Sequence, residues 1–279
     1  MKNKANQLNR FIVVLRRLFL IAGLAFILIP FFYFISVSFQ SKSYVQVSTP
    51  SVFFKPTLEN YKKVFSTLKF LQYFKNSLII CSISTLLSVF VGFLAAYAIT
   101  RLKNRFTENI SFWILTQRML PAIAVLIPIY LVMSKLRMLD TYYGIILVYS
   151  VLNLPYAVWM SKSFIEDIPI ELDESAMLDG CNKTQIIFRV IYPVAKPGII
   201  STGIFIFVLA WSEFIFALIL SSMHTKTLPV AISSFISDTG IEWNSMAAAG
   251  AILIVPLSIM FFFIQKSLVK GLSFGAVKG

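Results

Sequence analysis

Six of the chain's twelve carboxylates fall in one short stretch, from Glu166 to Asp179. Elsewhere, side chains able to do chemistry are sparse: one histidine, His224, and two cysteines, Cys81 and Cys181. A nucleophile–base relay needs a histidine held among partners, and one histidine cannot serve several roles. Two cysteines and one histidine at these separations match no metal-binding spacing. Cys81 lies in an apolar run and Cys181 in a polar one, so no disulfide is expected. No stretch reads G-x-x-x-x-G-K-[ST], so no such loop cradles nucleotide phosphates. The expectation is a chain that is not an enzyme and binds no metal or cofactor. If ATP and magnesium drive it, a partner uses them.

Acids are costly in lipid, so the cluster must stand in water or against protein. Pro169 suits the first turn of a helix and Gly180 its end. Asn182 is placed to cap a second helix, with Gln185 three residues on as its capping-box partner. In the helix expected from Ile170 to Asp179, Ile170, Met177 and Leu178 share one side at about 100° per residue. Leu172 and Ala176 lie nearly opposite, with Glu171 and Asp173 between the stripes and Glu174 within the first. A surface helix with one covered face shows one apolar stripe. Two stripes call for two coverings, the chain's own body and a partner. A plain hydrophilic connecting loop that happens to be helical is the alternative from pattern alone.

The rest of the chain says what that body is. Of 279 residues, 58% are hydrophobic and 13% charged. A water-soluble domain of this size could not hide so much apolar surface. Uncharged runs of about 19 to 24 residues match ~30 Å of hydrocarbon at ~1.5 Å per residue. The expected fold is therefore all-α and membrane-embedded, with six transmembrane helices. An N-tail covers 1–17, a first span 18–39 and an external loop 40–75. A core of five spans covers 76–264, containing the acidic loop 162–197, and a C-tail covers 265–279. The core spans fall near 76–99, 111–133, 141–161, 198–221 and 246–264. The first run far exceeds the ~7–15 residues of a signal-peptide core and reads as a retained span. The net charge of +13 is scattered over tails and loops, which argues against nucleic acid. With the N-terminus in the cytoplasm, 15 Lys and Arg lie inside and 9 outside, so both termini and the acidic loop are expected to be cytoplasmic.

Two charges fall within expected spans. Arg118 lies about 10 Å into the third and Glu213 about 22 Å into the fifth, so a direct ion pair is not expected. Each should face the bundle interior, a wet cavity or a partner; for Arg118 the alternative is snorkelling to the interface. Asn153 in the fourth span is a further polar candidate for the path. The chain's 27 phenylalanines read as lipid-facing or core residues and identify no substrate.

Glu174-Ser175-Ala176, Gly180, Val190 and Tyr192-Pro193 resemble the EAA–G–I-LP loop of inner-membrane permeases of ABC importers. Ser175, Val190 and Tyr192 depart from that pattern, each mildly. The resemblance implies the type I importer permease fold, with a cytoplasmic coupling helix that docks on the ATP-binding subunit. Carried onto this chain, that helix is Ile170, Glu171, Leu172, Asp173, Glu174, Ser175, Ala176, Met177, Leu178, Asp179 and Gly180. Glu174 would meet a basic residue of the ATPase, while Met177 and Leu178 fill its groove. Trp211-Ser212-Glu213-Phe214 is similar to the W-N-E/D-F element of sugar-importer permeases, placing Trp211 and Glu213 with Arg118 and Asn153 near the translocation path. Phe54, Pro56, Asn60-Tyr61, Phe65 and Asn76-Ser77-Leu78 resemble the approach to the permease core in the same proteins. Thr227-Leu228-Pro229-Val230 and the terminal run from Gly271 resemble the maltose/oligosaccharide branch. There the C-terminal tail, here Gly275, Ala276, Val277, Lys278 and Gly279, contacts the ATPase, and the loop 222–245 faces the solute-binding protein.

The resemblance implies these partners: a second homologous permease, a homodimeric ATP-binding subunit, an extracytoplasmic solute-binding protein, a sugar substrate and the bilayer of a bacterial or archaeal cytoplasmic membrane. Three alternatives stay open on the residues: an ABC permease for another solute class, an ion-coupled transporter using Glu213, and a scaffold whose acidic loop docks a cytosolic protein.

Overall fold

The computed structural model describes residues 2–42, 53–67, 69–102, 104–237 and 240–274, with the backbone alone described at 2–10, 67, 118 and 263–274. The helices follow one another as α1 Lys2–Ser38, α2 Glu59–Thr67, α3 Phe70–Arg101, α4 Arg105–Thr116, α5 Ala122–Lys135, α6 Tyr142–Glu166, α7 Glu171–Leu178, α8 Lys183–Gln185, α9 Tyr192–Trp211, α10 Ile215–Leu220, α11 Leu228–Ile232 and α12 Trp243–Phe274. A 3₁₀ turn, Gln117–Met119, links α4 to α5, and a π-helical segment, Ile186–Ile191, links α8 to α9. A two-stranded antiparallel ribbon, β1 Ile236–Ser237 and β2 Gly240–Ile241, pairs Ile236 with Ile241 and Ser237 with Gly240.

Among the described residues, five stretches are long and apolar enough to cross a bilayer: Phe11–Ser38, Phe70–Arg101, Tyr142–Glu166, Lys183–Trp211 and Trp243–Phe262. The third expected span, 111–133, differs. There the chain is helical in two pieces, α4 and α5, neither of which reaches that length. Pro121 is the cause: its φ of −61° and ψ of 132° are extended, and proline cannot continue the hydrogen-bond ladder. The fifth expected span is also interrupted. α9 stops at Trp211 and α10 starts at Ile215, so Glu213 lies in the gap rather than on a helix face.

Helix starts follow local chemistry. The Asn104 side chain accepts from the Thr107 N–H and Thr107 answers on the Asn104 N–H, a reciprocal cap for α4. The Thr141 hydroxyl accepts from the Gly144 N–H at the start of α6.

Contacts divide the chain into two units, Met1–Leu68 with Ile232–Ile252, and Lys69–Ala231 with Leu253–Gly279. In the first, Asn60 donates to the carbonyls of Ser38 and Gln40, both at 2.8 Å, and Asn244 donates to Gln40 at 2.6 Å. These amides satisfy carbonyls that the end of α1 leaves without helical partners. The exposed Lys63–Glu242 pair, at 2.6 Å, adds little in water.

The second unit is built on α3, α6 and α9. Lipid gives apolar side chains no reason to leave it, so small residues and interhelical hydrogen bonds must do the packing. Ser88 Oγ donates to the Ser150 carbonyl at 3.0 Å, and Ser150 Oγ to the Ser84 carbonyl at 3.4 Å, stitching α3 to α6. One turn on, Gly92 meets Ala157 so closely that a Cβ at 92 would lie 2.4 Å from the Ala157 Cβ. Gly198 on α9 seats the Phe164 ring of α6 in the same manner.

Candidate functional site

The acidic island folds as the spacing predicts. α7 spans Glu171–Leu178, one residue inside each expected end, preceded by Pro169 and closed by Gly180 at φ +82°. A Cβ at 180 would meet nothing within 4 Å, so the glycine is required by its left-handed backbone and not by space. The Cys181 N–H reaches back to the Ala176 carbonyl at 2.9 Å. Asn182 and Gln185 then form the expected reciprocal cap. Past that cap the ladder widens into π geometry, just ahead of Pro193, and the chain enters α9.

Each side chain of α7 has a definite setting. Ala176 is buried in an apolar cluster with Phe93 and Ala96 of α3, and with Ile165, Ile168, Ile186 and Ile191. Opposite it, Ile170, Met177 and Leu178 are exposed, Leu178 to 90%. Leu172, Glu171, Glu174, Ser175 and Asp179 are exposed as well. The inner stripe is therefore Ala176 with Asp173 rather than Ala176 with Leu172. Asp173 is 2% exposed and its carboxylate is fully engaged. Tyr97 Oη donates to Oδ1 at 2.6 Å, and Arg101 Nη2 lies 2.9 Å from Oδ2. A buried pair of this kind is expensive to break from one side, about 3–5 kcal/mol, because the remaining charge has no water.

A cavity of about 620 Å³ opens within the second unit between α4, α5, α6, α9 and the α9–α10 gap. Its polar lining is Gln117, Tyr149, Asn153 and Glu213, set among Trp113, Phe216 and aliphatic side chains. Glu213 Oε1 accepts the Phe216 N–H at 3.0 Å, so the carboxylate caps the first turn of α10. The Tyr149 hydroxyl donates to the Glu213 carbonyl at 3.3 Å, and Asn153 Nδ2 donates to the Tyr149 carbonyl at 2.9 Å. Asn153 and Glu213, sixty residues apart in sequence, thus share one wall. Of the other two path candidates, Trp211 is 1% exposed behind that wall, stacked on Phe207 and donating to the Leu253 carbonyl at 3.0 Å. The Arg118 side chain lies outside the description; its backbone is in the 3₁₀ turn whose Gln117 lines the cavity. Gly275 to Gly279 also lie outside the described residues.

At the far end of α3 the loop after α10 is held by residues the sequence did not single out for that task. Asp140, at φ +51°, accepts from the N–H groups of Ser222 at 2.9 Å and Thr225 at 3.0 Å, and from the Thr225 hydroxyl at 2.8 Å. The His224 N–H adds a longer bond at 3.2 Å. Burial alone would raise the Asp140 pKa, but these donors outweigh it and hold the carboxyl below the usual aspartate value. Asn76 donates to the carbonyls of His224 and Lys226, both at 2.9 Å, and the Leu228 N–H donates to Ser77 Oγ at 2.8 Å. An asparagine and an aspartate flanking apolar runs were the available signal, but their partners lie 66 to 150 residues away.

Comparison with known proteins decides what an exposed acidic helix packed on α3 and a polar-lined cavity belong to. The sequence model of the binding-protein-dependent transport system inner membrane component matches residues 88–274. The chain belongs to this family. It is a multi-pass membrane permease of the ABC importer type, a transport subunit and not an enzyme. The permease is 38% identical to the trehalose/maltose transport system permease protein MalG of Thermococcus litoralis, over 95% of this chain and 98% of that one. It is 37% identical to the inner membrane ABC transporter permease protein YcjP of Escherichia coli, over 95% and 98%. Among solved structures, a bacterial ABC transporter that imports the acidic polysaccharide alginate superposes with a TM-score of 0.76, covering 92% of this permease and 96% of that chain at 23% identity. That likeness bears on the fold, which is the ABC importer permease fold. As a component of a binding-protein-dependent transport system, the permease works with a binding protein, and ABC importers draw on a separate ATPase subunit.

Proposed function

We propose that the permease is one membrane subunit of an ATP-driven carbohydrate importer. It pairs with a second homologous permease, a homodimeric ATPase and an extracytoplasmic sugar-binding protein. The observation that carries the solute class is the near end-to-end match to the trehalose/maltose permease of Thermococcus litoralis. The trehalose permease SugB of Mycobacterium tuberculosis, 32% identical over 93% of this chain, points the same way. The cavity suits such a solute: Glu213, Asn153 and Gln117 offer acceptors and donors to hydroxyl groups, and Trp113 offers a ring face.

The coupling site is the exposed side of α7. Ile170, Met177 and Leu178 form the apolar contact for the ATPase groove, and Glu174 meets a basic residue there. Both termini lie in the cytoplasm, on the same side as α7. ATPase closure pushes α7, the core helices rotate, and the cavity opens toward the loaded binding protein. Gly180→Val should remove the left-handed exit and Glu174→Lys should reverse the docking charge. Both variants insert at wild-type level and lose at least tenfold in uptake. Normal uptake by both would remove α7 from the coupling role.

A further inference from the structure

We propose that Asp173 is an inward-facing positioning residue that locks the docking helix to α3 through Arg101 and Tyr97, so that the two move as one body. The proposal rests on the reading of α7 as the ATPase-docking helix. Within α7 and at its C-cap, Glu171, Glu174 and Asp179 are exposed, whereas Asp173 is turned inward and is itself almost fully buried. Its two oxygens meet residues one helical turn apart on α3, Tyr97 at 2.6 Å and Arg101 at 2.9 Å. Arg101 makes a second attachment: Nη2 donates to the Ile168 carbonyl at 3.1 Å, on the other side of Pro169. One guanidinium thus grips the turn before α7 and the first turn of α7 itself. The proline between the two grips has its φ held near −65° by its ring, which stiffens the turn. The apolar contacts of Ala176 with Phe93 and Ala96 seat the next turn of α7 on the same helix.

The mechanical consequence concerns the route of force. The covalent route from α7 into the bundle passes through Pro169 on one side and through Gly180 and the π-helical segment on the other. Each interrupts the α-helical hydrogen-bond ladder, so neither joins α7 to the bundle as one continuous helix. The Asp173–Arg101–Tyr97 clamp bypasses both breaks and delivers displacement straight to α3. That helix carries Gly92 and Ser88 against α6, one of whose faces lines the cavity.

The test uses the full importer, with permeases, ATPase and binding protein, reconstituted in proteoliposomes. Asp173→Asn keeps the shape and the Tyr97 bond but removes the charge. It should leave the ATPase subunit bound and basal hydrolysis within twofold, while solute carried per ATP falls at least tenfold. Arg101→Lys retains charge without the fork and should fall several-fold. Asp173→Glu should recover part of the loss, which a residue needed only for folding would not show. If Asp173→Asn fails to insert, Arg101→Lys and Tyr97→Phe decide by the same ratio. Unchanged coupling in Arg101→Lys and Tyr97→Phe would overturn the proposal. Loss of the ATPase subunit from the Asp173→Asn complex would also overturn it, by placing Asp173 on the docking face. A wild-type chain that binds no ATPase would instead refute the importer reading on which the proposal stands.

Discussion

Adding one methyl group where α3 crosses α6 tests the packing on which the second unit is built. In Gly92→Ala the new Cβ would lie 2.4 Å from the Ala157 Cβ, 2.9 Å from the Ala157 carbonyl carbon and 3.0 Å from the Val158 nitrogen. Packed carbons settle at about 3.5–4.0 Å, so the helices must part by about 1 Å. Nothing can rotate away, because two of the three opposing atoms are backbone and the third is a Cβ. Overpacking of this kind costs about 1–3 kcal/mol. The separation also stretches the nearby Ser88–Ser150 bond, now 3.0 Å, which is worth about 0.5–1.5 kcal/mol net. A total loss of about 1.5–4.5 kcal/mol is expected. Unfolding of the purified permease in mixed micelles, titrated with denaturing detergent, measures it. Ala157→Gly removes the closest atom and leaves the 2.9 Å backbone contact, so the double variant should recover part of the loss, with a coupling of about 1 kcal/mol or more. A Gly92→Ala loss below about 0.5 kcal/mol, or no recovery in the double variant, would refute the crossing.

Glu213 has two jobs that substitution separates. Glu213→Gln keeps an oxygen for the Phe216 N–H and should be as stable as wild type but slower in uptake by at least fivefold. Glu213→Ala also uncaps α10 and should lose about 1–2 kcal/mol of stability. Wild-type uptake by Glu213→Gln would take the carboxylate out of the path. At the opposite end of α3, Asp140→Ala should speed amide exchange at Ser222, His224 and Thr225, read by hydrogen-exchange mass spectrometry. Because the folded Asp140 pKa is depressed, its contribution is complete above the ordinary aspartate pKa and lost as pH falls through the lower folded value. Protection of these amides should therefore stay flat from about pH 7 to 5 and decline only below about pH 4; a decline near pH 6 would assign the cage to another group.

Much of this was legible in single stretches. Four of the six expected spans, 18–39, 76–99, 141–161 and 246–264, fall on long apolar helices, and α7 followed from the pairing of Pro169 with Gly180. The cap at Asn182 followed from a four-residue pattern whose partners are local. Prolines and acids within apolar runs were visible, yet that Pro121 divides the third span, and that Glu213 caps α10 within a gap, depends on how neighbouring helices fill the space. The setting of Asp173 was not legible at all. Counted along α7 it falls between the apolar stripes, and only residues 72 and 76 positions away turn it inward. The Asp140 cage was hidden for the same reason, since its donors arrive 82 to 85 positions later. Local patterning fixes which residues are helical, whereas which face a polar side chain takes is decided by partners far along the chain.

As proposed, this permease passes a carbohydrate when a separate ATPase pushes on α7. The most direct measurement is ATP hydrolysis by the co-purified complex in proteoliposomes, with and without its binding protein loaded from a panel of sugars. An ATPase subunit should co-purify, and one sugar-loaded binding protein should raise hydrolysis several-fold, with Gly180→Val abolishing the rise. A complex lacking any ATPase, or one stimulated by an amino acid or metal and by no sugar, would contradict it.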